Sequence, residues 1–233
     1  MTTVGYGAGM TTTTLTAGAE AAGRALGGAL GVVAAITRRK PLHAAGRTFR
    51  ATLRIDAPTT GAGVPLFSER GQHPCVVRVS RAMSLPEGWW DIGGFALRVD
   101  RAGPGCGPAD LLFASTGTGR VGRHLLRLSR QPMSEPMTTL LPVHAGTASL
   151  LLLVEPIGDG RAAVPRQFEL RIGVDGGSWS PVGIVELGDE VPGASPRFDP
   201  LVRRLEGTAP PTWVTALREP AYRLARRLGR RSR

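Results

Sequence analysis

Three groups of residues, far apart in the chain, carry side chains that could take part in chemistry. His43 lies near the amino-terminal end, and histidine is the side chain that exchanges a proton most readily near neutral pH. In the middle of the chain, Arg78 and Ser80 place a cation and a hydroxyl two residues apart. Near the carboxyl-terminal end, Arg218 precedes Tyr222 by one helical turn. An arginine there can hydrogen-bond a phenolate and favour its charged form, which would make Tyr222 an oxygen ligand.

The elements that position these residues are predicted from hydrophobic periodicity. The predicted strands alternate apolar and polar residues and are separated by turns that contain Gly or Pro; they span residues 48–55, 75–80, 94–99, 109–115, 148–155, 167–174 and 182–187. Such a series favours an antiparallel barrel or sandwich over a βαβ fold. The apolar run 150–154 is expected to be buried on both faces.

Helices are predicted between and around the strands. Residues 15–37 are Ala-rich and end at Pro41, residues 121–130 carry a helical apolar set, and residues 213–231 have a helical pattern interrupted by Pro220. Residues 1–14 are rich in Thr and Gly without periodicity and are predicted to be a disordered lead. Residues 15–233 are predicted to form a single domain of the α+β class.

Composition limits the classes of site. The chain has 233 residues, of which 42% are apolar and 20% charged, so it can bury a core without a metal or disulfide. Cys75 and Cys106 form neither a CxxC pair nor a cluster with histidine, which argues against a zinc site or a disulfide scaffold. Both thiols are expected to be reduced and at least half-buried. Trp89 and Trp90 are expected to line the core or a pocket.

The positive charge is concentrated at the carboxyl-terminal end. The net charge is +11, and residues 218–233 contribute seven arginines and one glutamate. We interpret these arginines as the solvated face of a helix. Phosphate contacts with nucleic acid and contact with an anionic membrane are the alternatives. We expect no specific nucleic-acid partner and at most a weak membrane-surface contact through this tail.

Residues 25–36 form an apolar run that is too short to span a bilayer. Its basic residues follow the run, whereas a secretory signal carries them in front. These features indicate a cytoplasmic protein.

A glycine-rich stretch provides an alternative interpretation. Gly117, Gly119 and Gly122 match G-x-G-x-x-G between a predicted strand and a predicted helix, which is the local setting of a dinucleotide site. The surrounding strands do not form a βαβ series, so we expect a turn from a barrel strand to a helix. A dinucleotide-binding enzyme stays as a less favoured alternative.

Four sets of motifs, taken in chain order, resemble those of the haem-containing catalase family. They are His43-Ala44-Ala45-Gly46; Val77-Arg78-Val79-Ser80; Asp91-Ile92-Gly93-Gly94-Phe95-Ala96-Leu97-Arg98 followed by Asp110-Leu111; and Pro181-Val182-Gly183, Phe198-Asp199-Pro200 and Arg227-Leu228-Gly229. The resemblance covers residues 38–230, and the spacing from Phe198 to Tyr222 is similar to that of the family. It implies an antiparallel β-barrel with an N-terminal helix and C-terminal helices.

The resemblance also implies a haem b cofactor and roles for individual residues. Tyr222 would be the axial ligand of the haem iron, with Arg218 stabilising its phenolate. His43 would be the acid–base group that moves a proton between the two oxygens of a peroxide, and Ser80 would hydrogen-bond it. The cations expected to meet the haem propionates are Lys40, Arg78 and Arg227.

One departure from the family affects the expected activity. Catalases place an asparagine in the loop after Asp-Leu, whereas Ala114 or Ser115 takes that place here; we include Ser115 among the candidate catalytic residues. Without the amide, we expect peroxidase or catalase-like action on peroxides that is weak in hydrogen peroxide disproportionation. The alternative is a non-catalytic protein that binds haem or another apolar ligand. The reducing substrate is unknown, and a homo-oligomer is compatible with the sequence.

Overall fold

The computed structural model describes residues 46–86, 88–158 and 163–209. In these residues nine strands form one antiparallel sheet: β1 Gly46–Ile55, β2 Gly71–Arg81, β3 Gly93–Gly103, β4 Gly107–Ser115, β5 Met137–Thr138, β6 Val143–Ala145, β7 Ala148–Ile157, β8 Gln167–Val174 and β9 Trp179–Glu190. The helical elements among them are 3-10 turns of three residues: Thr60–Ala62, Pro65–Phe67, Pro104–Cys106, Gly122–His124 and Pro132–Ser134. No helix in this part of the chain has the length and apolar character needed to cross a membrane.

The sheet closes into a barrel. The strand order is β5-β4-β3-β2-β1-β9-β8-β7-β6, and β5 also pairs with β7. Eight strands therefore form the ring, and β6 extends the sheet from β7. Closure gives every strand of the ring two neighbours, which removes the exposed edges that an open sheet would have. The barrel predicted from the sequence is confirmed.

Side chains fill the lumen of the barrel. Alternate residues of each strand point inward, and the fully buried inward side chains include Phe49, Leu53, Phe95, Leu97, Phe168 and Leu170. The Phe95 ring lies 4.8 Å from the Phe168 ring and 5.9 Å from the Phe113 ring, measured between centroids. A barrel of eight strands has an interior just wide enough for such packing. The lumen is thus a hydrophobic core.

Strand β7 is buried on both faces, as its apolar run predicts. Leu150, Leu152 and Val154 belong to the lumen core. Leu151 and Leu153 alternate with them on the outer face and are also buried.

Three expectations from the sequence are wrong. Residues 121–130 contain a single 3-10 turn, Gly122–His124, and then an extended segment in which Leu126 pairs with Thr116 and Ser129 pairs with Asp91. These bridges give the segment hydrogen-bond partners on the barrel, which outweigh a modest local preference for helix. Trp89 and Trp90 are exposed, and so is Cys106.

The predictions for the chain termini lie outside the described residues. They are the disordered lead 1–14, the helix 15–37 and the helical pattern 213–231.

Candidate functional site

Gly46, the described residue of the first motif, lies at the same end of the barrel as residues of the second and third motifs. Strand β1 begins at Gly46, β2 ends at Arg81, β3 begins at Gly93 and β4 ends at Ser115. Neighbouring strands are antiparallel, so these four ends lie together. The register pairs Gly46 with Ser80, and Ser80 with Gly94. We call this the Gly46 end of the barrel.

Arg78 and Ser80 lie on the outer face of β2. Val77 and Val79 alternate with them and point into the core, because successive side chains of a strand point to opposite faces. The Arg78 side chain is 8% exposed, and its Nη1 donates a hydrogen bond to the Ser195 hydroxyl. The Ser80 hydroxyl lies 3.5 Å from the Gly94 carbonyl oxygen, which is a long hydrogen bond. A cation and a hydroxyl therefore lie on one face beside the start of β1.

Close contact with Arg78 explains why glycine occupies position 46, the last residue of the His43 motif. A Cβ atom at Gly46 would lie 2.8 Å from Nε of Arg78 and 2.8 Å from the carbonyl oxygen of Val79. Any larger residue would push the guanidinium away from β1. Gly46 thus allows Arg78 to lie flat against the first strand.

Ser115 occupies the other face of the sheet. Ser115 lies two residues after Phe113 in β4, so both side chains point to the same face, and Phe113 belongs to the core. The buried Ser115 hydroxyl accepts a hydrogen bond from the Gly93 amide at 2.9 Å and donates one to the Arg127 carbonyl at 2.8 Å. Ser80 pairs with Gly94, and Gly94 pairs with Ala114, so Ala114 lies on the same face of the sheet as Ser80. A catalytic role for Ser115 would require its hydroxyl to reach the face of Arg78, which the strand register opposes.

Asp91, which opens the third motif, organises the β2–β3 loop. It is fully buried, and its Oδ1 accepts hydrogen bonds from the amides of Met83 at 2.9 Å and Ile92 at 2.8 Å. Its Oδ2 accepts one from the amide of Leu85 at 3.2 Å and lies 3.4 Å from Nε of Arg81. Burying a carboxylate costs free energy unless it has such partners. Asp91 therefore holds the loop in one conformation.

Asp110 joins the third motif to the fourth. It pairs across the sheet with Arg98, which donates to Asp110 from Nε at 2.6 Å and from Nη2 at 2.9 Å. The amide of Asp199 donates to the same carboxylate at 2.7 Å, and the Arg98 guanidinium stacks over the Phe198 ring, 4.9 Å from its centroid. The hydrogen bond to Asp110 raises the pKa of Arg98. We call Arg98, Asp110, Phe198 and Asp199 the Asp110 clamp.

The clamp was not predicted from the sequence, although all its members lie in motifs that the resemblance singled out. Asp110 and Phe198 are separated by almost ninety positions. The usable signal was an aspartate within an otherwise apolar strand, because a buried carboxylate requires a cationic or amide partner. Its position fixes the path of the chain that leads to residues 210–233.

The glycine-rich stretch forms a loop that closes on itself. The Gly117 amide donates to the Gly122 carbonyl at 3.1 Å, and a Cβ atom at Gly117 would lie 3.2 Å from the Gly122 Cα. Trp179 Nε1 donates to the Thr118 carbonyl at 2.8 Å, and the buried Arg123 stacks on the Trp179 ring. The loop lacks the following helix that a dinucleotide site uses to bind a pyrophosphate. The geometry therefore gives the dinucleotide alternative no support.

The two cysteines differ in environment. Burial raises the pKa of the Cys75 thiol to about 12, so Cys75 is a neutral core residue. Cys106 lies in the β3–β4 turn at the opposite end of the barrel from Gly46. The residues that the structure describes contain no group of three or more His, Cys, Asp or Glu side chains arranged to hold a metal.

Among the described residues, Arg78 is the predicted haem contact, and it suits a propionate at the edge of the macrocycle. The lumen is filled by aromatic and aliphatic side chains, so a macrocycle does not fit inside the barrel. On the outer face, Arg78 suits an anionic carboxylate, because a guanidinium carries five N–H donors and pairs well with carboxylates. The other residues predicted for the site, Lys40, His43, Arg218, Tyr222 and Arg227, lie outside the described residues.

Comparison with known proteins identifies the fold. No protein-family model and no curated protein sequence matches the chain. The solved structures that resemble it include a bacterial catalase (TM-score 0.52, 13% identity, 80% of this chain and 59% of that one). Catalase A from Saccharomyces cerevisiae aligns with a TM-score of 0.53 at 10% identity over 80% of this chain and 63% of its own. A fungal catalase aligns with a TM-score of 0.52 at 11% identity over 78% and 58%. The chain thus spans about 60% of the length of these catalases and has a catalase-like fold.

Proposed function

We propose that the protein binds haem b on the outer face of the barrel at the Gly46 end and oxidises an unidentified reducing substrate with a peroxide. The observation that carries the proposal is the register between β1 and β2. It sets Gly46, the last residue of the His43 motif, directly opposite Ser80 and against Arg78. Two motifs that resemble the catalase pattern in sequence are therefore adjacent in space, on a catalase-like barrel.

In this proposal Arg78, Lys40 and Arg227 bind the propionates and Tyr222 ligates the iron. Arg218 hydrogen-bonds the Tyr222 phenolate and stabilises its charged form. Bound haem supplies the redox-active iron for peroxide chemistry. His43 accepts a proton on an imidazole nitrogen from one peroxide oxygen and returns it to the other. Three residues extend by at most about 11 Å, so His43 is close enough in the chain to act beside Ser80.

Ala114 limits the activity that we propose. It shares the outer face with Ser80 and has no side-chain donor to orient a small peroxide. Turnover of hydrogen peroxide as both oxidant and reductant should therefore be weak. Ser115 is not assigned a catalytic role, because its hydroxyl bonds to Gly93 and Arg127 on the other face. The setting that we propose is the cytoplasm.

The first test is the absorption spectrum of the full-length protein produced with a haem precursor. We expect a Soret band with a high-spin ferric-tyrosinate pattern. Tyr222→Phe should abolish or shift this pattern. Tyr6→Phe is a matched control, because Tyr6 and Tyr222 are the two tyrosines of the chain, and it should leave the spectrum unchanged. A folded, colourless protein that does not take up added haemin would refute the proposal.

The second test separates catalysis from binding. His43→Gln should retain the Soret band and lower the rate of peroxide-dependent oxidation by about 10²- to 10⁴-fold. His144→Gln, at an exposed position of β6, should have the wild-type rate. If the wild type has a Soret band and no peroxide reactivity, the alternative function applies. Ala114 favours that alternative, a haem carrier without turnover.

A further inference from the structure

An exposed apolar patch lies at the Gly46 end of the barrel. The β2–β3 loop presents Trp89, which is 61% exposed, and Trp90, which is 55% exposed, together with Met83 and Leu85. Leu128 joins them from the segment after β4, because Asp91 and Ser129 exchange two backbone hydrogen bonds of 2.9 Å. We call Met83, Leu85, Trp89, Trp90 and Leu128 the tryptophan patch.

The exposure of the patch is imposed by polar contacts that fix the backbone of the loop. The Asp91 carboxylate holds the amides of Met83 and Leu85. Nη2 of Arg81 donates to the carbonyl of Trp89 at 3.0 Å and to the carbonyl of Pro86 at 3.3 Å. The loop is therefore held with its large apolar side chains outward. Several such side chains grouped on one held loop mark an interaction surface, whereas single exposed apolar residues are common.

The patch carries an exposed cation, Arg130. The guanidinium of the exposed Arg130 lies 5.6 Å from the centre of the Trp90 ring. The other two arginines among the described residues of this surface are paired with carboxylates, Arg81 with Asp91 and Arg127 with Glu135. A symmetric contact between two copies would place Arg130, the excess positive charge of this surface, on both sides. Charge complementarity therefore favours an anionic partner over a second copy.

We propose that the tryptophan patch docks onto the surface of an anionic lipid membrane. Tryptophan is enriched at the membrane–water boundary, where its apolar ring and its N–H group are both accommodated. Met83, Leu85 and Leu128 enter the acyl boundary beside the indoles, and Arg130 meets lipid phosphates. This inference is independent of haem binding, because none of these residues belongs to the proposed haem site.

Vesicle flotation of the full-length protein tests the proposal. Vesicles of equimolar phosphatidylcholine and phosphatidylglycerol should bind the protein, and vesicles of phosphatidylcholine alone should bind it weakly. The double variant Trp89→Ser/Trp90→Ser should bind these vesicles at least about tenfold more weakly than the wild type, because it removes two half-exposed indoles from the contact. Trp89→Phe/Trp90→Phe should restore most of the binding. Val202→Ser is the matched control: Val202 is 64% exposed in the segment next to the Asp110 clamp, and its removal should have no effect.

A second measurement does not require changes to the patch. In a Trp213→Phe background, vesicles with brominated acyl chains should quench tryptophan emission. The indole outside the patch, Trp179, is half-buried, with its Nε1 bonded to the Thr118 carbonyl and its ring covered by Arg123. Equal flotation of wild type and Trp89→Ser/Trp90→Ser would overturn the proposal and assign binding to the arginine-rich tail. A wild-type dimer that this double variant dissociates, without vesicle binding, would assign the patch to a second copy. Shielding of both indoles from acrylamide in the free monomer would show that the patch is already covered within the chain and would also overturn the proposal.

Discussion

Buried carboxylates in this protein position chain segments. Asp91 and Asp110 are the fully or almost fully buried aspartates of the motifs that resemble catalases. Asp91 holds the β2–β3 loop, and Asp110 holds the segment that contains Phe198 and Asp199. Burying a charge costs free energy that only close partners offset, so each aspartate commits its surroundings to one arrangement. The acidic residues of the motifs are therefore explained by folding.

At this scale we predict that Asp110→Asn lowers the free energy of unfolding by about 3 kcal/mol, because Arg98 would lose its buried counter-charge. The segment from Arg197 to Arg204 would also lose its attachment to the barrel. Denaturant titration measures the first effect. The second is measured by the rate at which trypsin cuts after Arg197, Arg203 and Arg204 in the native protein.

An exposed ion pair provides the control for that prediction. Arg47 and Glu190 form a hydrogen-bonded pair in which the arginine lowers the pKa of Glu190. Both side chains are well exposed to solvent, which weakens the contribution of such a pair to stability. Glu190→Gln should leave both the unfolding midpoint and the tryptic pattern nearly unchanged. If the two variants behaved alike, the clamp would have no special role.

At the scale of the elements, close approach between strands explains a glycine in the fourth motif. Gly183 of β9 pairs with Ile55 of β1, and a Cβ atom at Gly183 would lie 2.0 Å from the Arg54 carbonyl oxygen. That distance is far below any van der Waals contact. The pairing of β1 with β9 joins the first and last strands of the barrel, so this glycine affects closure directly.

We predict that Gly183→Ala destabilises the fold by at least about 1–3 kcal/mol, the usual cost of overpacking, since the two strands must move apart. Gly61→Ala is the matched control, because a Cβ atom there has no atom within 4 Å and its φ lies outside the left-handed region. Urea unfolding of the two variants measures the difference. Equal stabilities would show that β1 and β9 adjust without cost.

At the scale of the whole molecule, the barrel has one weak seam. Strand β5 has two residues, and through them it joins β4 on one side to β7 on the other. By contrast, β1 and β2 are paired along their whole length, from Gly46 with Ser80 to Ile55 with Gly71. Segments with few backbone hydrogen bonds open most easily.

Hydrogen exchange should therefore be faster along the β5 seam than in the rest of the ring. We expect the amides of Met137 and Thr138 to exchange before those of β1, β2 and β3 under native conditions. Peptide-level exchange followed by mass spectrometry measures this order. Simultaneous exchange of the whole ring would indicate that the barrel opens only by global unfolding.

The sequence alone was sufficient to predict the seven longer strands, and the resemblance favoured a barrel over the sandwich that the pattern also allowed. Alternating residues such as Phe49, Leu53 and Ile55 determine a half-buried strand locally, whatever the rest of the chain does. The run 150–154 indicated burial on both faces, because it is apolar without alternation. The two-residue strand β5 was not predicted, because it is formed by pairing with β4 and β7 and has no pattern of its own.

Only the tertiary structure decided which candidate residues share a face. The resemblance suggested Ser80 and Ser115 as residues of one site, but the register places Ser115 on the core side and Ala114 beside Ser80. The Asp110 clamp and the exposure of Trp89 and Trp90 likewise depend on contacts between segments that are distant in sequence or on bridges outside the sheet. Hydrophobic periodicity is a property of each segment, whereas register, long-range ion pairs and surface patches depend on how separate segments meet. The sequence therefore determined the elements and the motifs, and their packing decided which motif residues can act together.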